Sequence, residues 1–233
     1  MALKDDLQSE VAKIFRETWT TRDGRVVPAP EDIALSNDAV VIEKAAVLYA
    51  DLAGSTGLVN SQTWEFAAEV YKTFLYCAAK LAREQGGTIT SYDGDRIMGI
   101  FNGSTPCSDA AICALKLNWV VKNIINSALK VQYPQQSYSV KHVVGIDVGK
   151  LRAARTGVRG GNDIVWVGRT ANYAAKLTEL NLDENSWITK DVYDLLKDEA
   201  KYGGNPRQDM WKSYKWTPNG DFPIYGSTWW WAV

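Results

Sequence analysis

Asp51 closes an apolar run, Ala46-Val47-Leu48-Tyr49-Ala50. A carboxylate at the end of a buried strand must face water, a cation or a partner, because burying it alone is costly. Gly54-Ser55-Thr56 follows at once, a tight turn into a helix whose free N–H groups suit phosphate oxygens. A carboxylate that can hold a divalent metal beside such a turn is the core of a nucleotide site, although the same spacing also suits an aspartate that only caps the next helix. A second aspartate, Asp95, ends Ser91-Tyr92-Asp93-Gly94-Asp95. Asp-Gly between short apolar runs reads as a hairpin turn, and from that turn Asp95 can complete a two-carboxylate metal site with Asp51. Hard cations that also bind phosphates are typically held by one or two carboxylates. A pair of them can activate an attacking oxygen and neutralise a leaving one. A third group lies in Val167 to Lys176, where Gly168 opens a helix and Asn172 and Lys176, four apart, share one face. An amide and a cation there can orient a ribose and stabilise phosphoryl charge. The alternative is an ordinary solvated helix face.

The elements that must position these groups are legible from periodicity. Leu3 to Trp19 reads as an amphipathic packing or dimerisation helix with Leu7, Val11, Ile14 and Phe15 on one face. Thr20 to Asp38, with Pro28 and Pro30, reads as a connector. A strand opens at Val40 or Val41 and ends near Asp51. Gln62 to Gln85 is a long helix stopped by Gly86-Gly87. Thr88 to Ser91 and Ile97 to Phe101 are the arms of the hairpin, and Ser108 to Leu129 is a second long helix. Tyr138 to Asp147 is a strand, Arg152 to Asp163 a basic loop, Ile164 to Val167 a short strand, and Arg169 to Leu180 a helix. Trp187 to Thr189 is a strand and Asp191 to Glu199 a short helix. The order strand, helix, strand, strand, helix, strand fits a ferredoxin-like βαββαβ plait of the α+β class. It gives an N-terminal helix and connector over 1–39, a main domain over 40–200 and a Trp-rich extension over 201–233. The extension holds Trp211, Trp216 and Trp229-Trp230-Trp231. That much aromatic surface is expected to pack on the sheet or a second subunit, with carbohydrate or base stacking as the alternative.

Composition narrows the classes. The chain has 233 residues, 26 basic and 27 acidic, for a net charge of −1. That balance argues against a nucleic-acid or membrane-surface partner, while leaving room for a local anion site. Three cysteines without a C-x-x-C pair suit a reducing compartment. The single histidine, His142, sits among valines and reads as structural. No signal pattern and no apolar run of about 20 residues is present, so a soluble, cytoplasmic protein is expected.

Taken together, the motifs resemble the class III nucleotidyl cyclases, the adenylate and guanylate cyclase catalytic domain family, from about Val41 to Asn181. The residues that carry the resemblance are Tyr49-Ala50-Asp51 with Gly54-Ser55-Thr56; Gly86-Gly87 with Gly94-Asp95; Gly145-Ile146 with Gly149; and Gly168 to Lys176. The resemblance implies a homodimer with composite sites at its interface. In it Asp51, Asp95 and the Leu52 carbonyl bind two Mg²⁺ or Mn²⁺ ions, and Asn172 and Lys176 come from the other subunit. The 3′-OH of a nucleoside triphosphate would then attack the α-phosphate and expel pyrophosphate. Gly54, Ser55, Thr56 and Arg169 would meet the substrate.

The departures from the family pattern concern charge and base. Lys176 stands where most members have arginine, which has a bidentate fork that lysine lacks; Arg152, Arg155 or Arg169 could assist. Adenylate cyclases typically place lysine at the position of Ser91 and aspartate at that of Val165, and guanylate cyclases glutamate and cysteine. A mismatched buried polar contact costs about 1–3 kcal/mol, so losing both purine readers bears on specificity. The pattern then looks like the pyrimidine cyclases of bacterial cyclic-nucleotide (Pycsar) anti-phage defence, which signal to a separate cyclic-nucleotide-sensing effector. Tyr49 and Arg96, bulky groups beside the two aspartates, are the candidates for shaping a smaller base pocket. UTP is preferred because neither offers an acidic acceptor to the cytosine amino group. CTP, then ATP, then an inactive binding module are the alternatives.

Overall fold

The computed structural model describes residues 2–180 and 182–233; Asn181, the last residue of the family-like stretch, lies outside the described residues. The central strand is β2 (Asp38–Leu52), buried without a break from Ala45 to Leu48. Antiparallel to it on either side run β4 (Arg96–Phe101) and β5 (His142–Val158). Beyond β4 lies β3 (Thr88–Asp93). Beyond β5 lie β7 (Ser186–Thr189), β11 (Phe222–Ser227) and β10 (Lys212–Trp216), in that order. The four strands β5-β2-β4-β3 are those of the expected plait. β1 (Thr20–Asp23) pairs in parallel with the start of β2, and β6 (Gly161–Val167) pairs with the far end of β5. A separate two-stranded ribbon joins β8 (Tyr202–Gly203) and β9 (Gln208–Asp209).

Strand alternation divides β2 between two cores. Ala46, Leu48, Ala50 and Leu52 face α3 (Trp64–Glu84) and α4 (Pro106–Val120), packing with Phe66, Phe74, Ala110 and Leu117. Ala45 and Val47 face the other way, with Met98 and Ile100, onto Ala171 and Ala174 of α6 (Arg169–Leu177). The remaining helices are α1 (Leu3–Arg16), α2 (Ser55–Ser61), α5 (Asn126–Gln132), α7 (Lys190–Asp194) and α8 (Asp198–Lys201). Among them α1 buries no residue. Leu3, Leu7, Val11, Ile14 and Phe15 are all exposed, and the Asn37 amide holds the helix end by donating to the Ile14 and Glu17 carbonyls at 2.7 and 2.8 Å.

Several elements differ from the sequence reading. Arg152 to Asp163, expected as a loop, continues β5 to Val158 and turns into β6. Its arginines mask a strand whose Leu151, Ala153 and Ala154 are buried. Tyr138 to Lys141 precede the strand rather than starting it, and the connector contains β1. The long helix expected from Ser108 to Leu129 is α4, a π turn over Val121–Ile125, and α5. The Trp-rich tail is sewn onto the domain: Asn118 donates to the Trp229 carbonyl at 2.7 Å, Trp231 N–H to the Leu115 carbonyl at 3.2 Å, and Trp211 Nε1 to the Ala200 carbonyl at 2.8 Å. His142 is buried against Asn118 (Nε2 to Oδ1, 2.9 Å), and burial pushes its pKa down to about 4, the structural role its neighbours suggested. Among the described residues no helix is long and apolar enough to cross a membrane.

Candidate active site

Tyr49 and Asp51 alternate with the buried Leu48, Ala50 and Leu52, so both project from the face of the sheet that carries α6. On β4, Met98 pairs with Tyr49 and Ile97 with Ala50; one further step brings Arg96 level with Asp51. The β3–β4 hairpin closes with Asp93 opposite Arg96, leaving Gly94, at φ 61°, and Asp95 at the tip. Sheet register therefore delivers Asp95 to Asp51 across 44 residues of sequence. Their charges interact. Burial, and after it the negative charge of Asp95, pushes the Asp51 carboxyl up to about 6, against a smaller opposing pull from Arg96. The Arg96 guanidinium lies over the Tyr49 ring, 5.2 Å from its centroid, and donates to Asp93 at 3.2 Å. Tyr49, Asp51, Asp95 and Arg96 thus form one cluster.

Immediately after β2, Gly54 adopts the left-handed conformation at φ 76° and turns the chain into α2, where Ser55 is half-buried and Thr56 exposed. Asp51, Leu52 and Gly54 line one side of a cleft of about 630 Å³ whose other side is formed by Lys141 and the segment after α6. Tyr71, on α3, is a neighbour the sequence did not point to. Its hydroxyl is raised in pKa chiefly by burial and then by Asp95, and it hydrogen-bonds Ser55. Nothing in its helical spacing distinguishes it from the core positions around it.

Two carboxylates that repel each other, one of them lining a cleft, fit a divalent cation, which would relieve both burial and repulsion. Among the described residues no three His, Cys, Asp or Glu side chains gather as a full protein cage. The arrangement suits a cation that takes its other ligands from a backbone carbonyl such as that of Leu52, from water and from phosphate oxygens.

The Asn172–Lys176 pair expected from the sequence is on α6. Gly145 and Gly149 on β5 form the seat of this helix: a Cβ on Gly145 would lie 2.2 Å from the Ala174 carbonyl oxygen, and one on Gly149 would lie 2.7 Å from the Thr170 hydroxyl. Ala171 and Ala174 face this seat, which leaves Asn172 and Lys176 exposed on the opposite side. Lys176 makes no ion pair among the described residues, and neither it nor Asn172 lines the Asp51 cleft. Within one protomer the metal-type carboxylates and the Asn-Lys pair are not brought together. Nor are Ser91 and Val165, the two positions expected to meet the base. Ser91 lies half-exposed on β3 opposite Met98, whereas Val165 is exposed on β6, in a groove between α1 and the β5–β6 hairpin. Arg169, expected at the substrate, is engaged inside the protomer by Asp147 and Asp191. Arg155 is likewise held, donating to Asn162 at 2.7 Å.

Residues 38–224 match the family model described as the adenylate and guanylate cyclase catalytic domain. A uridylate cyclase of Burkholderia cepacia is 48% identical, with 100% of both chains covered. A uridylate cyclase of Xanthomonas perforans is 43% identical, again with 100% of each covered. Among solved structures, the adenylyl cyclase CyaB from P. aeruginosa superposes with a TM-score of 0.65 at 20% identity, covering 81% of this chain and 95% of that one.

Proposed function

This chain belongs to the adenylate and guanylate cyclase catalytic domain family, and from that premise we propose that it is a uridylate cyclase, converting UTP to 3′,5′-cyclic UMP and pyrophosphate. The observation that carries the reading is the match along the whole chain to relatives named uridylate cyclase. The site supports it: the purine-reading charges are replaced by Ser91 and Val165, and the Tyr49–Arg96 stack narrows the space beside Asp51. CTP is the runner-up substrate, ATP the next, and an inactive binding module the last. Retention of Asp51, Asp95 and Asn172 argues against that last reading.

In this reading Asp51, Asp95 and the Leu52 carbonyl hold two divalent cations, Mn²⁺ or Mg²⁺. Bound there, the cations supply Lewis-acid stabilisation of the attacking oxygen and of phosphate charge. The 3′-oxygen gives up its proton to solvent water and bonds to the α-phosphorus, while the bond from that phosphorus to the α,β-bridging oxygen breaks and pyrophosphate leaves with that oxygen. Asn172 orients the ribose and Lys176 faces the charge that develops on the phosphate. Gly54, Ser55 and Thr56 border the triphosphate. Because Asn172 and Lys176 stand away from the Asp51 cleft of their own protomer, the working site is composite, and a two-fold homodimer would build two of them. The exposed apolar face of α1 and the exposed Val158, Val165 and Val167 of the β5–β6 hairpin support a partner surface there. The product would act as a second messenger for a separate effector in anti-phage defence, in the cytoplasm.

The test is a nucleotide panel. Purified protein is incubated with ATP, GTP, CTP or UTP and Mn²⁺, and products are identified by mass spectrometry. Cyclic UMP from UTP alone is the expected result. Cyclic AMP would show that Ser91 and Val165 are not base readers, and no cyclic product from any of the four would overturn the enzymatic reading.

A further inference from the structure

The Gly145-Ile146-Asp147-Val148-Gly149 stretch seats α6, and between its two glycines Asp147 is the one polar side chain on that side of β5. Asp147 is fully buried. Its Oδ1 accepts a hydrogen bond from the Thr189 hydroxyl at 2.6 Å, and Arg169 Nη2 lies 3.5 Å from the same oxygen. Its Oδ2 has no hydrogen-bond partner and faces Arg169 Nε at 3.4 Å. Arg169 is the first residue of α6, and its guanidinium also meets Asp191 of α7 at 2.5 Å. It lies over the Tyr173 and Phe222 rings, 5.1 and 5.6 Å from their centroids. One guanidinium therefore ties together β5, α6, α7 and β11.

Ordinary stability does not account for this placement. A cation on the first turn of a helix opposes the helix dipole, and a buried carboxylate paired with a half-exposed arginine is weak evidence for stabilisation. What the pair does supply is position. Gly145 lies against Ala174 and Leu177 and Gly149 against Thr170, while Ala171 and Ala174 share one apolar cluster with Val47, Met98, Ile100 and Leu151; these contacts are non-directional, and the Arg169 fork adds the directional contact that fixes how far α6 slides or rolls. Arg169, Asn172 and Lys176 are spaced by three, four and seven residues, which places all three on one side of the helix. Fixing the first fixes the other two.

We propose that the Asp147–Arg169 pair is a positioning device that indexes α6 on its glycine seat, so that Asn172 and Lys176 are presented in register to the reacting phosphate. The inference rests on the cyclase reading for its kinetic half and on the fold alone for its structural half. Arginine is required because a planar fork can meet two carboxylates while stacking on two rings, which a lysine cannot do.

The experiment uses the full chain with Asp147→Asn, which keeps the shape and removes the charge, and Arg169→Lys, which keeps the charge and removes the fork. Hydrogen exchange of the Arg169–Leu177 amides is followed beside steady-state kinetics with UTP and Mn²⁺. In both variants the α6 amides are expected to exchange about tenfold faster while β2 and α3 are unchanged. The kcat is expected to fall about 10- to 100-fold, with KM moving less than about threefold, as for a misplaced catalytic group. Normal α6 exchange in Asp147→Asn and Arg169→Lys would overturn the inference. So would loosened α6 with unchanged kcat, which would make the pair structural only, and so would a loss confined to KM. If the wild-type chain makes no cyclic nucleotide, the cyclase reading fails, while the exchange data still decide whether the pair holds the helix.

Discussion

Asp51→Asn should make the metal-free protein more stable while abolishing catalysis. In the fold the Asp51 carboxyl sits at about 6 instead of 3.8, because burial and the neighbouring Asp95 disfavour its charge. At about 1.36 kcal/mol for each tenfold in acidity, ionised Asp51 costs the native state about 3 kcal/mol. The side chain is partly exposed, so solvent screening reduces this to about 1–2 kcal/mol. The sign follows from linkage: a carboxyl with a raised folded pKa binds its proton more tightly native than unfolded. Its contribution to stability therefore falls as pH rises from about 4 to about 6, and the full cost is present above that. Asparagine has no such charge. In EDTA at pH 7.5, Asp51→Asn should melt about 2–8 °C above wild type, a gain that shrinks through pH 6 and vanishes near pH 4. Mn²⁺ should raise the wild-type melting temperature at pH 7.5 and leave the variant's unchanged. Differential scanning calorimetry across pH, with and without metal, reads all three. A variant that melts below wild type in EDTA, or a gain that persists at pH 4, would refute the argument that these two carboxylates are held in electrostatic conflict for a cation.

Composite sites predict subunit complementation. Asp51→Asn and Asn172→Ala should each be inactive alone, yet an equal mixture, unfolded and refolded together, should recover about a quarter of wild-type activity, because half of the dimers are mixed and each carries one intact site. Tyr49→Ala should lower the UTP-to-ATP ratio of kcat/KM by about tenfold or more, measured with both nucleotides at matched Mn²⁺. Gly145→Ala puts a methyl 2.2 Å from the Ala174 carbonyl oxygen and should cost about 1–3 kcal/mol in urea unfolding, whereas Gly149→Ala meets only the Thr170 hydroxyl and should cost less. Asn118→Ala removes the partner of His142 and of the Trp229 carbonyl and should cost about 2 kcal/mol by the same assay, with the tail released to limited proteolysis.

The residues that were legible in the sequence are those whose chemistry is local. A run of apolar residues ending in Asp51, an Asp-Gly turn before Asp95, and an Asn and a Lys one helical turn apart each announce themselves within ten residues, and the plait follows from the order of the elements around them. What was hidden depends on register. Arg152 to Asp163 looked like a loop because its charges and glycines outnumber the few buried positions of the strand, Leu151 just before it and Ala153 and Ala154 within it. Arg169 was expected at the substrate from its place in the family-like stretch Gly168 to Lys176. The anions it meets are Asp147 and Asp191, brought to it by β5 and α7, and no spacing along the chain foretells that. The Gly-Ile-Asp-Val-Gly motif shows the same limit from the other side. Its glycines were recognisable as a pattern, but their physical reason, an α-helix lying so close that even a methyl group would collide with it, exists only once β5 and α6 are stacked. The motif is therefore best understood as the bearing on which α6 is set, with Asp147 as the proposed pin that stops it from turning.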